Sequence, residues 1–214
     1  MNKQPLIRKT FSVPPLGCNC SILGDPLTKE AVIVDPGGDH HQILRYVEEM
    51  GLAVVRVIHT HAHFDHFLAS DEIRKATGAA LCLHAEDRVL WEGLEIQCRL
   101  FGVPYVPVPA ADYWLRDEAE ISVGRVQGVA FHTPGHTPGS MCFHFPEDQL
   151  LFAGDTLFRG GIGRTDLWGG SHDAIERSIR ERLYTLEETT KVVPGHGPET
   201  EIGWERESNP FVRG

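Results

Sequence analysis

Four histidines and an aspartate fall within eight consecutive positions of this sequence, His59-Thr60-His61-Ala62-His63-Phe64-Asp65-His66. Imidazole nitrogens and carboxylate oxygens are donors that suit zinc, iron and manganese, so this density reads as a metal-binding segment. The spacing gives it a geometry. Alternate side chains of an extended segment point to the same side, so His61 and His63 can grip one ion as they leave a strand. Asp65 and His66, at the turn into the next helix, can face a second ion about 3.5–4 Å away, the usual separation in two-metal hydrolytic sites. His59 either orients a ligand from behind or caps the strand.

Three later residues supply what this cluster lacks. His136 lies in Thr133-Pro134-Gly135-His136-Thr137-Pro138-Gly139, where proline and glycine fix a tight turn; Asp155 ends an apolar strand in Phe152-Ala153-Gly154-Asp155; His196 sits in the turn Pro194-Gly195-His196-Gly197. All three stand at strand ends, as the first cluster does, and so converge on one pocket. Asp35, before Pro36-Gly37, is read as holding the loops of that pocket. Arg164 is a candidate receptor for a substrate carboxylate, a buried ion pair with a nearby acid being the alternative. The other histidines, His40, His41, His84, His132, His144 and His172, match no ligand position and read as structural or solvated. Cys18, Cys20, Cys82, Cys98 and Cys142 form no CxxC pair and read as reduced thiols, not nucleophiles.

The elements that must position these residues are legible from periodicity. Residues 18–23 and 31–35 read as strands, the second stopped by Pro36-Gly37-Gly38. Ile43, Leu44, Val47 and Met50 recur at helical spacing up to Gly51. The apolar run 53–58 is a buried strand leading into the histidines, with a helical stretch behind them to about Thr77. Residues 81–83 form another strand and 85–100 a helix. A proline-rich passage at Pro104, Pro107 and Pro109 reads as a long loop, a candidate lid. Strands at 120–123, 126–132, 141–145 and 150–152 follow, then a glycine-rich loop, 154–170. Ser171 caps a helix through Tyr184, and a strand at 191–193 delivers His196. Each half runs from strands to helices, which predicts two mixed sheets packed together with helices outside. With no repeat or linker, residues 1–214 read as a single domain.

Composition narrows the partners. A formal charge of −10 without clustered lysine and arginine argues against nucleic acid. No apolar run approaches the roughly 20 residues of a membrane span, and residues 1–10 lack the apolar core of a secretory signal, so the expected address is the cytoplasm without membrane attachment.

From Val34-Asp35-Pro36-Gly37-Gly38 to His196 these motifs resemble the metallo-β-lactamase superfamily. The resemblance implies an α/β fold, a four-layer αβ/βα sandwich of two mixed sheets flanked by helices. It implies that His61, His63 and His136 hold one metal, that Asp65, His66 and His196 hold a second, and that Asp155 bridges them. Two divalent ions per chain are expected, zinc first, with iron or manganese as alternatives. Gly154-Asp155-Thr156-Leu157-Phe158, Gly163-Arg164-Thr165-Asp166 and Pro194-Gly195-His196-Gly197 are similar to single-domain glyoxalase II-like proteins, the hydroxyacylglutathione hydrolases. The implied activity is hydrolysis of a small thioester such as S-lactoylglutathione by a hydroxide generated at the metals, with Asp65 orienting it or shuttling a proton. Glutathione is an uncertain handle, because two-domain glyoxalase II enzymes bind it through a C-terminal helical region and this sequence runs from His196 only to Gly214. The runner-up is a mononuclear-iron persulfide dioxygenase, a family that also resembles His61-x-His63-x-Asp65-His66 and Gly163-Arg164-Thr165-Asp166 but typically reads Ala-His-Asp-Tyr where this chain has Gly195-His196-Gly197-Pro198. A non-catalytic metal-binding protein is the third reading. The acyl group and oligomeric state are not legible.

Overall fold

A computed structural model describes residues 5–214. Its strands form two six-stranded sheets and one short ribbon. The first sheet runs in the order β1 (Ile7–Val13), β2 (Cys18–Gly24), β3 (Glu30–Val34), β4 (Ala53–Ile58), β5 (Ala80–His84), β6 (Tyr113–Leu115). Its first three strands are antiparallel and the rest parallel. The parallel joins are made by crossover helices, α1 (His40–Glu49) and α2 (Ser70–Thr77), and by the pair α3 (Arg88–Glu92) and α4 (Leu94–Phe101). The second sheet is built from β7 (Ala119–Val123), β8 (Val126–His132), β9 (Met141–Phe145), β10 (Leu150–Gly154), β13 (Lys191–Pro194) and β14 (Thr200–Glu201), with only β10 and β13 parallel. The strands β11 (Leu157–Phe158) and β12 (Gly161–Ile162) form the ribbon; α5 (His172–Ser178) and α6 (Ile202–Ser208) complete the chain.

Strand alternation sorts the apolar side chains into three cores. Leu23, Val32, Val34, Ile58 and Cys82 of the first sheet face Phe143, Phe145, Phe152 and Val193 of the second between the sheets. Their neighbours Ile22, Ile33, Val57 and Leu81 point outward and pack under Ile43, Val47, Ile73 and Leu94 of the helices. On the far side Cys142, Leu151, Ala153 and Val192 lie under Ile175, Ile179, Leu183 and Ile202. These are the four layers that the sequence implied, helix, sheet, sheet, helix. No helix among the described residues is long and apolar enough to cross a membrane.

Three expectations are corrected. The helix expected over 85–100 is interrupted at Gly93, where Gln97 donates from Nε2 to the Leu90 carbonyl in the last turn of α3. The helix through Tyr184 is α-helical only to Ser178 and then widens into a π-turn, Ile179–Leu183. The proline-rich passage has no regular structure and does not cover the site: Val103, Val108 and Ala111 pack against the outer core of the first sheet, and none of its residues lines the site cavity. Strands β1 and β6 went unread, β1 because Arg8 and Lys9 break its apolar alternation on an edge strand, β6 because it has three residues.

Candidate metal centre

The C-terminal ends of β3, β4, β8, β10 and β13 open on the same edge of the sandwich, and each delivers a polar loop there. The segment after β4 is held by side chains from elsewhere in the chain. Asp35 accepts from the Thr60 N–H through Oδ1 at 2.8 Å, Asp87 from the Ala62 N–H through Oδ2 at 2.9 Å, and Gln97 from the Phe64 N–H through Oε1 at 3.2 Å. Asp87 also accepts from Thr137 Oγ1 at 2.8 Å and the Gly139 N–H at 2.6 Å, tying the His136 turn to the first cluster. Asn19 donates from Nδ2 to the carbonyls of Pro194 and Gly197, both at 2.9 Å, and the Gly195 N–H donates to the Gly154 carbonyl, which joins the His196 and Asp155 loops.

These supports orient the imidazoles. Thr60 Oγ1 donates to Asp35 Oδ2 at 2.6 Å, so it is left to accept from His61 Nδ1 at 3.0 Å, which assigns the lone pair of His61 to Nε2. His136 Nδ1 donates to the Arg164 carbonyl at 2.8 Å, and His66 Nδ1 to Asp35 Oδ2 at 3.0 Å. In each ring one nitrogen is committed outward and the other faces the centre, the arrangement that fixes metal-binding histidines.

The inward atoms fall into two groups sharing a carboxylate. His61, His63 and His136 form one, with His136 Nε2 at 2.9 Å from His63 Nδ1. Asp65, His66 and His196 form the other, with His196 Nε2 at 3.2 Å from both His66 Nε2 and Asp65 Oδ2. Asp155 lies between: Oδ2 is 3.6 Å from His136 Nε2 and 3.8 Å from His196 Nε2, and Oδ1 is 3.5 Å from His66 Nε2. A tetrahedral ion with bonds of about 2.0–2.1 Å has donor–donor edges of about 3.3 Å, close to these separations. Among the described residues, two buried side-chain atoms have no hydrogen-bond partner, His61 Nε2 in the first donor set and Asp155 Oδ1 on the carboxylate shared by both. Buried polar atoms left unpaired are costly, and a cation bound at each group would satisfy both. The donors present therefore fit metal ions.

Charge is arranged accordingly. Burial pulls His61 well below its ordinary value and His63 down to about 3, so both rings are neutral donors. Burial also opposes charge on His66, but the carboxylates Asp65, Asp155 and Asp35 outweigh it and push this ring up. Asp65, despite burial, is held down to about 2 by His66 and His196 and stays a carboxylate.

Not every candidate joins the centre. His59, expected to orient a ligand or cap the strand, spends both ring nitrogens elsewhere, on the Cys82 carbonyl at 2.9 Å and Ser70 Oγ at 2.7 Å; it braces β4 against β5 and α2 and touches no ligand. Arg164 is in no buried pair; it lies more than half exposed at the cavity rim, bound through Nε and Nη2 to Asp166 at 2.7 and 2.8 Å. Cys18 lies under His66, with Sγ 3.4 Å from Nδ1, and burial pushes its thiol up to about 12, which keeps it an inert neighbour. Thr60, Asn19, Asp87 and Gln97 were not singled out in sequence. The only local signal was a polar residue inside an otherwise apolar run, as for Asn19 between Cys18 and Cys20.

The centre forms the floor of a cavity of about 340 Å³ whose walls are mostly apolar, with Phe64, Leu90, Leu100, Phe101, Leu167 and Trp168 among them.

Known proteins of the same build carry the assignment further. The profile of the Metallo-beta-lactamase superfamily matches residues 13–196. The chain is 40% identical to the probable metallo-hydrolase YqgX of Bacillus subtilis over 86% of this chain and 88% of that one. It is 37% identical to the hydroxyacylglutathione hydrolase GloC of Haemophilus influenzae over 91% and 92%. Among solved structures it resembles the BLEG-1 B3 metallo-beta-lactamase (TM-score 0.90, 38% identity, 97% of this chain and 100% of that one) and TTHA1623 in a di-iron-bound form (0.88, 34%, 95% and 100%). It also resembles ETHE1 from Myxococcus xanthus (0.81, 28%, 95% and 83%). With the profile spanning every ligand candidate, and relatives this similar along nearly their whole length, the chain belongs to the metallo-β-lactamase superfamily.

Proposed function

We propose that this protein is a binuclear metallo-hydrolase that cleaves small thioesters. The observation that carries the reading is the pair of donor groups sharing Asp155 on the floor of an open cavity, with His61 Nε2 and Asp155 Oδ1 buried and unpaired. His61, His63 and His136 would hold one ion, Asp65, His66 and His196 the other, and Asp155 both. Metal ions there would lower the pKa of water toward neutrality and stabilise negative charge developing on a carbonyl oxygen. Asp65, held as a carboxylate at the cavity floor, would orient the attacking water. No cysteine lines the cavity, so no thiol competes as nucleophile. The name of the Haemophilus relative supports a thioester as the substrate class, and the di-iron-bound form of TTHA1623 supports a two-ion centre.

The test combines metal analysis of the purified protein with turnover of S-lactoylglutathione and other small thioesters. Two ions per chain and thioester cleavage without oxygen uptake are expected. Oxygen consumption with glutathione persulfide by a one-iron protein that cleaves no thioester would instead establish the dioxygenase reading, and hydrolysis confined to a chromogenic β-lactam would redirect the assignment toward the activity that the BLEG-1 metallo-beta-lactamase is named for.

A further inference from the structure

Above the metal ligands, the cavity wall holds a single Arg or Lys among the described residues, Arg164. Its guanidinium is already engaged by Asp166 in a two-point, charge-assisted contact, and the same bond holds the Asp166 carboxyl down to about 2. Around the mouth the apolar side chains are left uncovered: Leu16 is 50% exposed, Leu100 70%, Phe101 52% and Trp168 58%. They continue the apolar wall outward from the metal floor. A glutathione handle brings two carboxylates and one ammonium group. Here it would meet one cation already paired with Asp166, an apolar rim, and a chain of net charge −10.

From this we infer that Asp166 sets substrate choice by withholding Arg164, and that the thioester taken by this site carries an uncharged, apolar arm instead of a charged peptide handle. The inference deepens the thioester reading and rests on it. The apolar arm can belong to the acyl or to the thiol side of the ester; the chemistry shared by both is an alkyl or aryl group that covers Leu16, Leu100, Phe101 and Trp168. Asp166 acts as a positioning residue, through Arg164, and touches no reacting atom.

The test uses unhydrolysable thioethers titrated calorimetrically into the metal-loaded protein. For uncharged alkyl thioethers, affinity should rise about three- to fourfold per added methylene over the first few members and should fall in Trp168→Ala. S-methylglutathione should bind at least about tenfold more weakly than the longest alkyl probe. Asp166→Asn, an exposed change that leaves the core intact, should tighten S-methylglutathione about fivefold, an effect abolished by adding Arg164→Ala, with alkyl thioethers unchanged. An affinity flat with chain length overturns the inference. So does tight S-methylglutathione binding that Arg164→Ala weakens with Asp166 in place. Binding needs no turnover, so a protein that cleaves no thioester would refute the proposed function while these titrations still decide the pocket's preference. If thioesters are cleaved, lengthening the acyl and thiol sides separately and following kcat/KM assigns the arm.

Discussion

Asp35 shows how much of this centre depends on residues behind it. Its two oxygens take Thr60 N–H and Oγ1 and His66 Nδ1, and through Thr60 it also sets the tautomer of His61, so one carboxylate orients a ring in each donor group. Asp35→Asn removes the charge and reverses one acceptor while asparagine tolerates the same left-handed backbone, φ 49°. Metal affinity should fall about 10–100-fold with the fold retained, measured by competition against a chelator and by circular dichroism. Unchanged affinity would show that the rings are held by packing alone.

Among the elements, the β13 turn and the loop after β3 approach the centre too closely to carry a side chain. A side chain on Gly195 would occupy the space of Asp155 Oδ1 and His66 Cε1, and one on Gly37 would run into the Asp65 carbonyl. Both positions therefore require glycine for space, independently of backbone dihedrals. Gly195→Ala should displace Asp155 or His66 and lower activity by about 100-fold or more, the penalty of a shift near 1 Å at reacting groups, while far-ultraviolet circular dichroism stays close to wild type. Retained activity would mean that the β13 turn can retreat without cost.

For the molecule as a whole, the joint between the sheets has two ends. At the end remote from the metals, Asp25 after β2 accepts from the backbone and guanidinium of Arg125 in the β7–β8 hairpin and from Leu27 N–H. The Arg125 hydrogen bonds, against the effect of burial, hold the Asp25 carboxyl well below the usual range. A depressed folded-state pKa stabilises the protein above the unfolded value of about 3.9, and that contribution is lost as pH falls below it. Asp25→Asn should cost about 2 kcal/mol at pH 7, and the difference from wild type should shrink in denaturant melts below about pH 4. A pH-independent difference would assign the cost to packing. At the other end, metal ions held by the two donor groups would join the sheets, since each group draws on both. Chelation should lower Tm. His66 and His196 are both pushed up by neighbouring carboxylates against the effect of burial, so metal uptake should release protons and weaken as pH falls. Calorimetry in buffers of different ionisation enthalpy reads that release, and a buffer-independent heat would contradict it.

What the sequence determined by itself was local. His61, His63, Asp65 and His66 lie within six positions, so their convergence needs only an extended segment and one turn, and the strands and helices that carry the other ligands announce themselves by alternation and helical spacing. The four layers followed because each apolar face must be buried against another. The tertiary structure decided which distant groups meet. Asp87 lay in a stretch that read as plain helix, Asn19 in an apolar strand, and nothing near either in sequence marks the Gly139 amide or the Gly197 carbonyl as its partner. His59 belonged to the densest part of the motif, yet neighbours supplied by β5 and α2 turned it to bracing. Arg164 and Asp166 stand two residues apart, but only the course of their loop around the cavity brings them side by side at its rim. A motif limits what a residue can bind, and the packing of remote elements decides whether it is aimed at a metal, a substrate or another part of the chain.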